Sequence, residues 1–187
     1  MTKRQTVRML CEGAIMIALA LVLGLLKPFE LPQGGSISLE MLPLFIFIAR
    51  WGAGSSLICC FAFGILQVFV QGAVGYGWVS IILDYIVAFG VMGLGGLAKG
   101  KIYLSSVIAS LARFIVHFIS GVTVYRILAP TELFNTTFTN PYLYSLAYNI
   151  SYVGIDLILC LVVITALMAT PLKKYLKGED FAAGSRL

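Results

Sequence analysis

The sequence predicts an all-α integral membrane protein, a bundle of six transmembrane helices forming one membrane domain over residues 1–187. Three observations carry that reading. Hydrophobic residues make up 60% of the chain and charged residues only 11%, against about 25% charged in an ordinary soluble domain. Mean hydropathy is +0.98. The apolar residues also lie in long unbroken runs, the pattern of spanning helices of about 20 residues, whereas membrane barrels alternate over stretches of about 10.

The first helix is predicted at about 7–26. It follows Lys3, Arg4 and Arg8 and so has the outline of a secretory leader, but the run continues through Leu26 with no small-residue cleavage site, which favours a retained helix. KPFELPQGGS, rich in Pro and Gly, separates it from a second helix at about 38–51, which is short and carries Pro43. Only RWGAG intervenes before the third, at about 54–71, so those two pack antiparallel. The fourth and fifth are predicted at about 79–98 and 102–126. The connection from Arg126 to Leu143 is the longest, and a long loop in a compact domain is more often functional than idle. The sixth helix is predicted at about 145–170, with 178–187 a polar tail.

The net charge of +5 is spread between the hydrophobic runs. Nucleic-acid binding needs basic residues clustered on a soluble face, so the basic residues are read as orienting the helices. With the N-terminus in the cytoplasm, Lys3, Arg4, Arg8, Arg50, Lys99, Lys101, Lys173, Lys174, Lys177 and Arg186 fall inside, and Lys27 and Arg126 outside. The positive-inside rule then puts both termini in the cytoplasm and the connections 27–37, 72–78 and 127–144 outside. Cys11, Cys59, Cys60 and Cys160 lie in apolar segments without CxxC spacing and with one His in the chain, so no metal site is expected. GxSxG, HExxH, Walker A and paired carboxylates at helical spacing are all missing from the sequence. The expectation is a binding or transport subunit with no cofactor, not an enzyme, and one whose energy comes from a partner or an ion gradient.

An ionisable side chain inside a bilayer costs roughly 3 kcal/mol and is a functional-site candidate by default. The chain offers Glu12, Glu40, Asp84, Arg113, His117 and Asp156. Glu12 and Glu40 are placed near helix ends, where water is in reach. Asp84 has two readings: it neutralises a cation in a partly dry pocket, or it pairs with another helix, with Arg113 the obvious but deeper partner. His117 follows Arg113 by four residues and shares its face. Gly121 and Tyr125 continue that face, the small Gly leaving room beside the ring. In the sixth helix Tyr144 and Tyr148 follow helical spacing, as do Ser145 and Asn149. An interfacial aromatic belt explains the tyrosines but not Asn149. Asp84, Tyr85, His117, Tyr125, Tyr144 and Asn149 all fall in the outer half, and together suit a flat, hydrogen-bonding, cationic ligand.

PQGGSISLEMLPLFIFIARWG, ILDYIVAFGVMGLGGLA, RFIVHFISG and YSLAYNISY resemble, in order and spacing, the thiamine-specific substrate-binding (S) component of energy-coupling factor (ECF) vitamin transporters. The resemblance covers nearly the whole chain. It implies a thiamine-binding subunit working with a transmembrane scaffold (T component) and two ATP-binding cassette ATPase subunits in the plasma membrane. By position Asp84 matches the family's pocket carboxylate, often Glu, and Tyr85 its aromatic neighbour; His117, Tyr144 and Asn149 match residues that contact the vitamin. Tyr125 and Gly34 stand where relatives have Trp. Trp78, at the outer start of the fourth helix, or Tyr76 is a candidate for the missing aromatic surface, with an interfacial anchor the other reading. Ala14 and Ala18 match the family's small-residue scaffold contact, against internal packing as the alternative. The rival functions are an S component for another flat heterocycle, such as a pyrimidine precursor or riboflavin, and a solitary proton-coupled transporter.

Overall fold

The computed structural model describes residues 2–31, 35–70, 77–128, 131–133, 136–176 and 178, with the side chains of 125–128 and 131 left aside. Helix α1 (Lys3–Leu25) opens on a capping box in which Gln5 N–H donates to Thr2 Oγ1 and Thr2 N–H donates to Gln5 Oε1. A two-stranded antiparallel hairpin follows, β1 (Phe29–Glu30) on β2 (Ser36–Ile37). Helix α2 (Met41–Trp51) is joined to α3 (Ala53–Val70) through Gly52 alone, whose φ of 81° is a left-handed conformation that suits glycine. Helix α4 (Trp78–Ala98) and α5 (Ile102–Leu128) are joined by a turn through Gly100, again at positive φ. A second hairpin, β3 (Thr131–Leu133) on β4 (Thr136–Phe138), leads into α6 (Pro141–Met168) and a final turn, α7 (Lys173–Leu176).

The membrane-helix architecture agrees with the sequence reading, with two corrections. Five described helices, α1, α3, α4, α5 and α6, are long and apolar enough to cross a membrane, and α2 is a shorter apolar helix. The second predicted span, 38–51, begins only at Met41, and at 11 residues α2 is about 16 Å long, roughly half the hydrocarbon thickness. It does not have to face lipid: Met41, Leu44, Phe45, Ile48 and Ala49 are buried, and α1, α3, α4, α5 and α6 pack around it. The sixth span is 141–168 and not 145–170, because Asn140 caps it by accepting from the N–H groups of Tyr142 and Leu143, with Pro141 in its first turn. The other predicted limits differ by a few residues, and the predicted 178–187 tail lies outside the described residues beyond Gly178.

Helix α4 is not a uniform α-helix. Ile82–Val87 is a π-helical segment and Met92–Ala98 a 3-10 helix. Three residues per turn in the 3-10 form stack positions three apart on one face, so Gly93 and Gly96 continue the face begun by Gly90. That face lies against α3. A Cβ on Gly93 would stand 2.4 Å from Leu57 N, one on Gly96 2.3 Å from Ala53 N, and one on Gly90 2.4 Å from the Phe61 ring. Gly95, on another face, would meet Ser105 O of α5 at 2.4 Å. MGLGGLA is therefore the segment that lets α3, α4 and α5 meet backbone to backbone. Gly93→Val is expected to cost at least about 3 kcal/mol, because the obstacle is main chain that cannot rotate away. A clearly lower thermal unfolding midpoint in detergent would show it; an unchanged midpoint would mean that the helices separate freely.

The two ends of the bundle differ. At the end carrying the termini, Arg50 at the close of α2 forms a buried ion pair with Glu12 of α1, donates from Nη1 to the Tyr175 carbonyl in α7, and lies 3.6 Å over the Tyr175 ring. Glu12 was expected near water; it is buried at 8% exposure because Arg50 partners it. At the opposite end, Gly35 beside β2 docks on α6. Its N–H donates to Tyr148 Oη at 2.8 Å, and a Cβ there would strike Tyr148 and Tyr152.

Candidate functional site

Asp84 sits in the π-helical segment of α4, the kind of local widening that proteins place at functional positions. Its side chain keeps 24% exposure. Oδ1 faces His117 Nδ1 of α5 at 3.0 Å, and Oδ2 accepts from Ser80 and Ser120 Oγ, each at 2.8 Å. Of the two readings of Asp84, the inter-helix pair is thus realised, but with His117 and not Arg113. Ser80 and Ser120 were not singled out from the sequence; the only available signal was that Ser80 lies four residues before Asp84, one helical turn away.

His117 is at the centre of a longer polar chain. Arg113 Nε–H donates to His117 Nε2 at 3.1 Å, and Arg113 Nη2 reaches Glu40 Oε1 at 3.3 Å. Gln67 of α3 donates to Glu40 Oε2 at 2.9 Å. Glu40, expected near the outer water, is only 3% exposed, because Arg113 and Gln67 replace the solvent. Arg113 also lies 4.1 Å above the Phe89 ring of α4. One buried guanidinium thus ties together the start of α2, α4 and α5. Asp156 of α6, fully buried, holds the same region by accepting from Ser38 N–H at 2.9 Å.

Asn149 joins His117 through the main chain. Its Nδ2 donates to His117 O at 3.2 Å and to Ser145 O at 2.8 Å, and its Oδ1 accepts from Tyr152 Oη at 2.9 Å. Tyr152 in turn meets the His117 ring edge-on at 5.7 Å. Tyr144, Tyr148 and Tyr152 form a ladder up α6, with ring centroids 5.8 and 5.5 Å apart, against Phe138 and Leu133 of the second hairpin. Tyr144 is 2% exposed and packed in this cluster, not spread in an interfacial belt.

Gly121 requires a correction. The sequence reading left open room beside the His117 ring, but a Cβ at Gly121 would fall 2.5 Å from Ser145 Oγ and 3.2 Å from Asn149 Nδ2. The glycine admits α6 against α5, and that close approach lets Asn149 reach the His117 carbonyl. Tyr85 is half-buried on the π segment, with its carbonyl against Gly64 of α3. The side chain of Tyr125, and all of Gly34 and Tyr76, lie outside the described residues.

The hollow at this site lies between α4 and α5. A half-open cavity of about 280 Å³ is lined by Gly77, Trp78, Val79, Ser80, Leu83, Ser120, Thr123 and Val124. Trp78, 75% exposed, stands at its wall. Ser80 and Ser120 are shared: they line the cavity and also hold Asp84, so the carboxylate lies one hydroxyl layer behind the cavity wall. Asp84, His117 and Asn149 converge, while Asn149 and Tyr144 brace the network from α6 and do not line this cavity. No group of side chains suited to a metal ion occurs among the described residues. Ala14 and Ala18 are both exposed on α1, so they do not pack inside the bundle.

The family model for "Thiamine transporter protein" matches residues 10–176. The thiamine transporter ThiT of Bacillus subtilis strain 168 is 34% identical over 185 residues, covering 89% of this chain and 93% of that protein. ThiT of Lacticaseibacillus paracasei is 26% identical over 188 residues, 90% of each. A solved structure of ThiT from Listeria monocytogenes shares the fold, with a TM-score of 0.78 over 91% of this chain and 98% of that one at 21% identity. Matched over most of its length by the family model and by a relative of one-third identity, the chain belongs to the thiamine transporter family.

Proposed function

We propose that this chain is the thiamine-binding subunit of an ATP-driven ECF-type uptake system, a multi-pass protein of the bacterial plasma membrane that captures thiamine from the outside. Family membership supports the vitamin as ligand, and the observation that carries the mechanism is Asp84. A carboxylate held by an imidazole and two hydroxyls, set behind a half-open cavity with an indole at its wall, suits a flat cation. In this reading Asp84 balances the thiazolium charge, Trp78 offers it a π-face worth about 0.5 to 2 kcal/mol, and Ser80 and Ser120 turn their hydroxyls toward the ligand. His117 orients Asp84. Tyr85 and Tyr125 add aromatic surface, while Gly121, Tyr144 and Asn149 hold the framework.

The outward orientation of the hairpin end rests on the asymmetry of Lys and Arg along the chain. A cofactor has no part in this reading. Without an ATP-binding motif of its own, the chain takes its energy from partner ATPases through a transmembrane scaffold that docks on the exposed Ala14–Ala18 face of α1. Isothermal calorimetry on the purified protein tests the ligand. Thiamine is expected to bind at least about 30-fold more tightly than its free pyrimidine half, which lacks the cationic ring, a difference of about 2 kcal/mol or more. Equal affinity for the two would remove the charge-balancing role.

A further inference from the structure

Arg113 takes no part in the cavity, yet it is buried, costly in a membrane and bonded to a ring that the site uses. We propose that Arg113 is a positioning residue for the ligand-binding carboxylate: it holds His117 as the neutral tautomer protonated at Nδ1, so that the ring hydrogen-bonds Asp84 without cancelling its charge. This rests on the reading of Asp84 as the partner of a cationic ligand.

Donor arithmetic leads to the tautomer. An arginine Nε always carries a hydrogen and has no acceptor capacity, so its 3.1 Å contact with His117 Nε2 requires a lone pair there. A neutral imidazole with a lone pair on Nε2 has its proton on Nδ1, where Asp84 Oδ1 accepts it at 3.0 Å. Protonating Nε2 as well would set two N–H groups head to head beside a fixed positive charge. The lock is itself braced: Glu40 holds Arg113 Nη2, Gln67 holds Glu40, and Phe89 backs the guanidinium. The charged and titratable groups around the ring are Asp84 from α4, Arg113 from α5 itself and Tyr152 from α6, with Glu40 behind Arg113 and Asp156 farther along α6. Asp84 favours an imidazolium, and Arg113, bonded directly to the other nitrogen, opposes it. An imidazolium would form a closed ion pair with Asp84, and an incoming cation would have to compete with it.

His117 is the one histidine in the chain, so selective 15N-histidine labelling reports a single ring. In the wild type we expect a protonated Nδ1 and an unprotonated Nε2, unchanged from about pH 8 to about pH 5.5, where a free imidazole would titrate. Glu40→Gln should keep this signature because the Arg113–His117 bond remains. Arg113→Met combined with Glu40→Gln, which removes the donor without leaving Glu40 unpaired, should let the ring titrate. Its thiamine affinity should then fall about tenfold over the same pH interval, while wild-type affinity stays flat. A wild-type ring protonated at Nε2 or at both nitrogens at neutral pH would overturn the proposal, and this spectrum decides it even where the double variant does not fold. A double variant whose ring and affinity remain independent of pH would overturn it equally. Failure of the wild type to bind thiamine would instead strike the proposed function, leaving the ring spectrum to judge Arg113 alone.

Discussion

Asp84→Asn is expected to weaken thiamine binding by about 2 to 5 kcal/mol, the cost of deleting one member of a desolvated charge pair, while leaving the helical fold intact. The substitution separates charge from shape. An asparagine Oδ1 can still accept from His117 Nδ1, and the Ser80 and Ser120 hydroxyls, which donate to Asp84 Oδ2, can turn to accept from the new amide. What disappears is the negative charge. Calorimetry with thiamine, alongside circular dichroism for helix content, separates the two effects. Undiminished affinity would show that the thiazolium is balanced elsewhere, and would return Asp84 to a purely structural pairing with α5.

Arg50→Ala is expected to be the most damaging substitution for the fold, at about 3 to 5 kcal/mol, since it abandons Glu12 as an unpaired buried charge. Arg50 is 1% exposed and joins α1, α2 and α7 through the Glu12 carboxylate, the Tyr175 carbonyl and the Tyr175 ring. Because the loss is mainly desolvation of the orphaned carboxylate, combining Arg50→Met with Glu12→Gln should recover most of it. Thermal unfolding of both variants in the same detergent checks this. If the single and double variants unfold at the same temperature, the contacts with Tyr175 and not the ion pair provide the stability. The two substitutions act at opposite ends of the bundle, so Arg50→Ala at a temperature where it stays folded should bind thiamine normally.

Particular residues show why part of the site was visible in advance and part was not. Asp84, His117 and Asn149 stood out because each is polar inside an apolar run, and that is a property of the string itself. Which of them touch was not legible. Glu40 and Glu12 were read as reaching water because each lies near a helix end, a reading that measures depth along one helix and ignores what packs beside it. Arg113 and Arg50, distant in sequence, supply the partners that keep them buried. The room expected at Gly121 failed for the same reason: a glycine marks space, but the helix that enters it comes from elsewhere in the chain. The π segment around Asp84 and the 3-10 segment at MGLGGLA alter the period of α4 without altering its hydropathy, so an average over a window misses both.

The sequence by itself determined the membrane class, the approximate limits of the long helices, the turn at Gly52 and the ionisable residues of the site, because composition, period and backbone freedom are local properties. Only the tertiary structure decided that α2 lies shielded within the bundle, that Asp84 pairs with His117, and that Arg113 links that pair to Glu40. These depend on distances between segments far apart in the chain, where burial makes every unpaired charge costly and so selects which partners must meet.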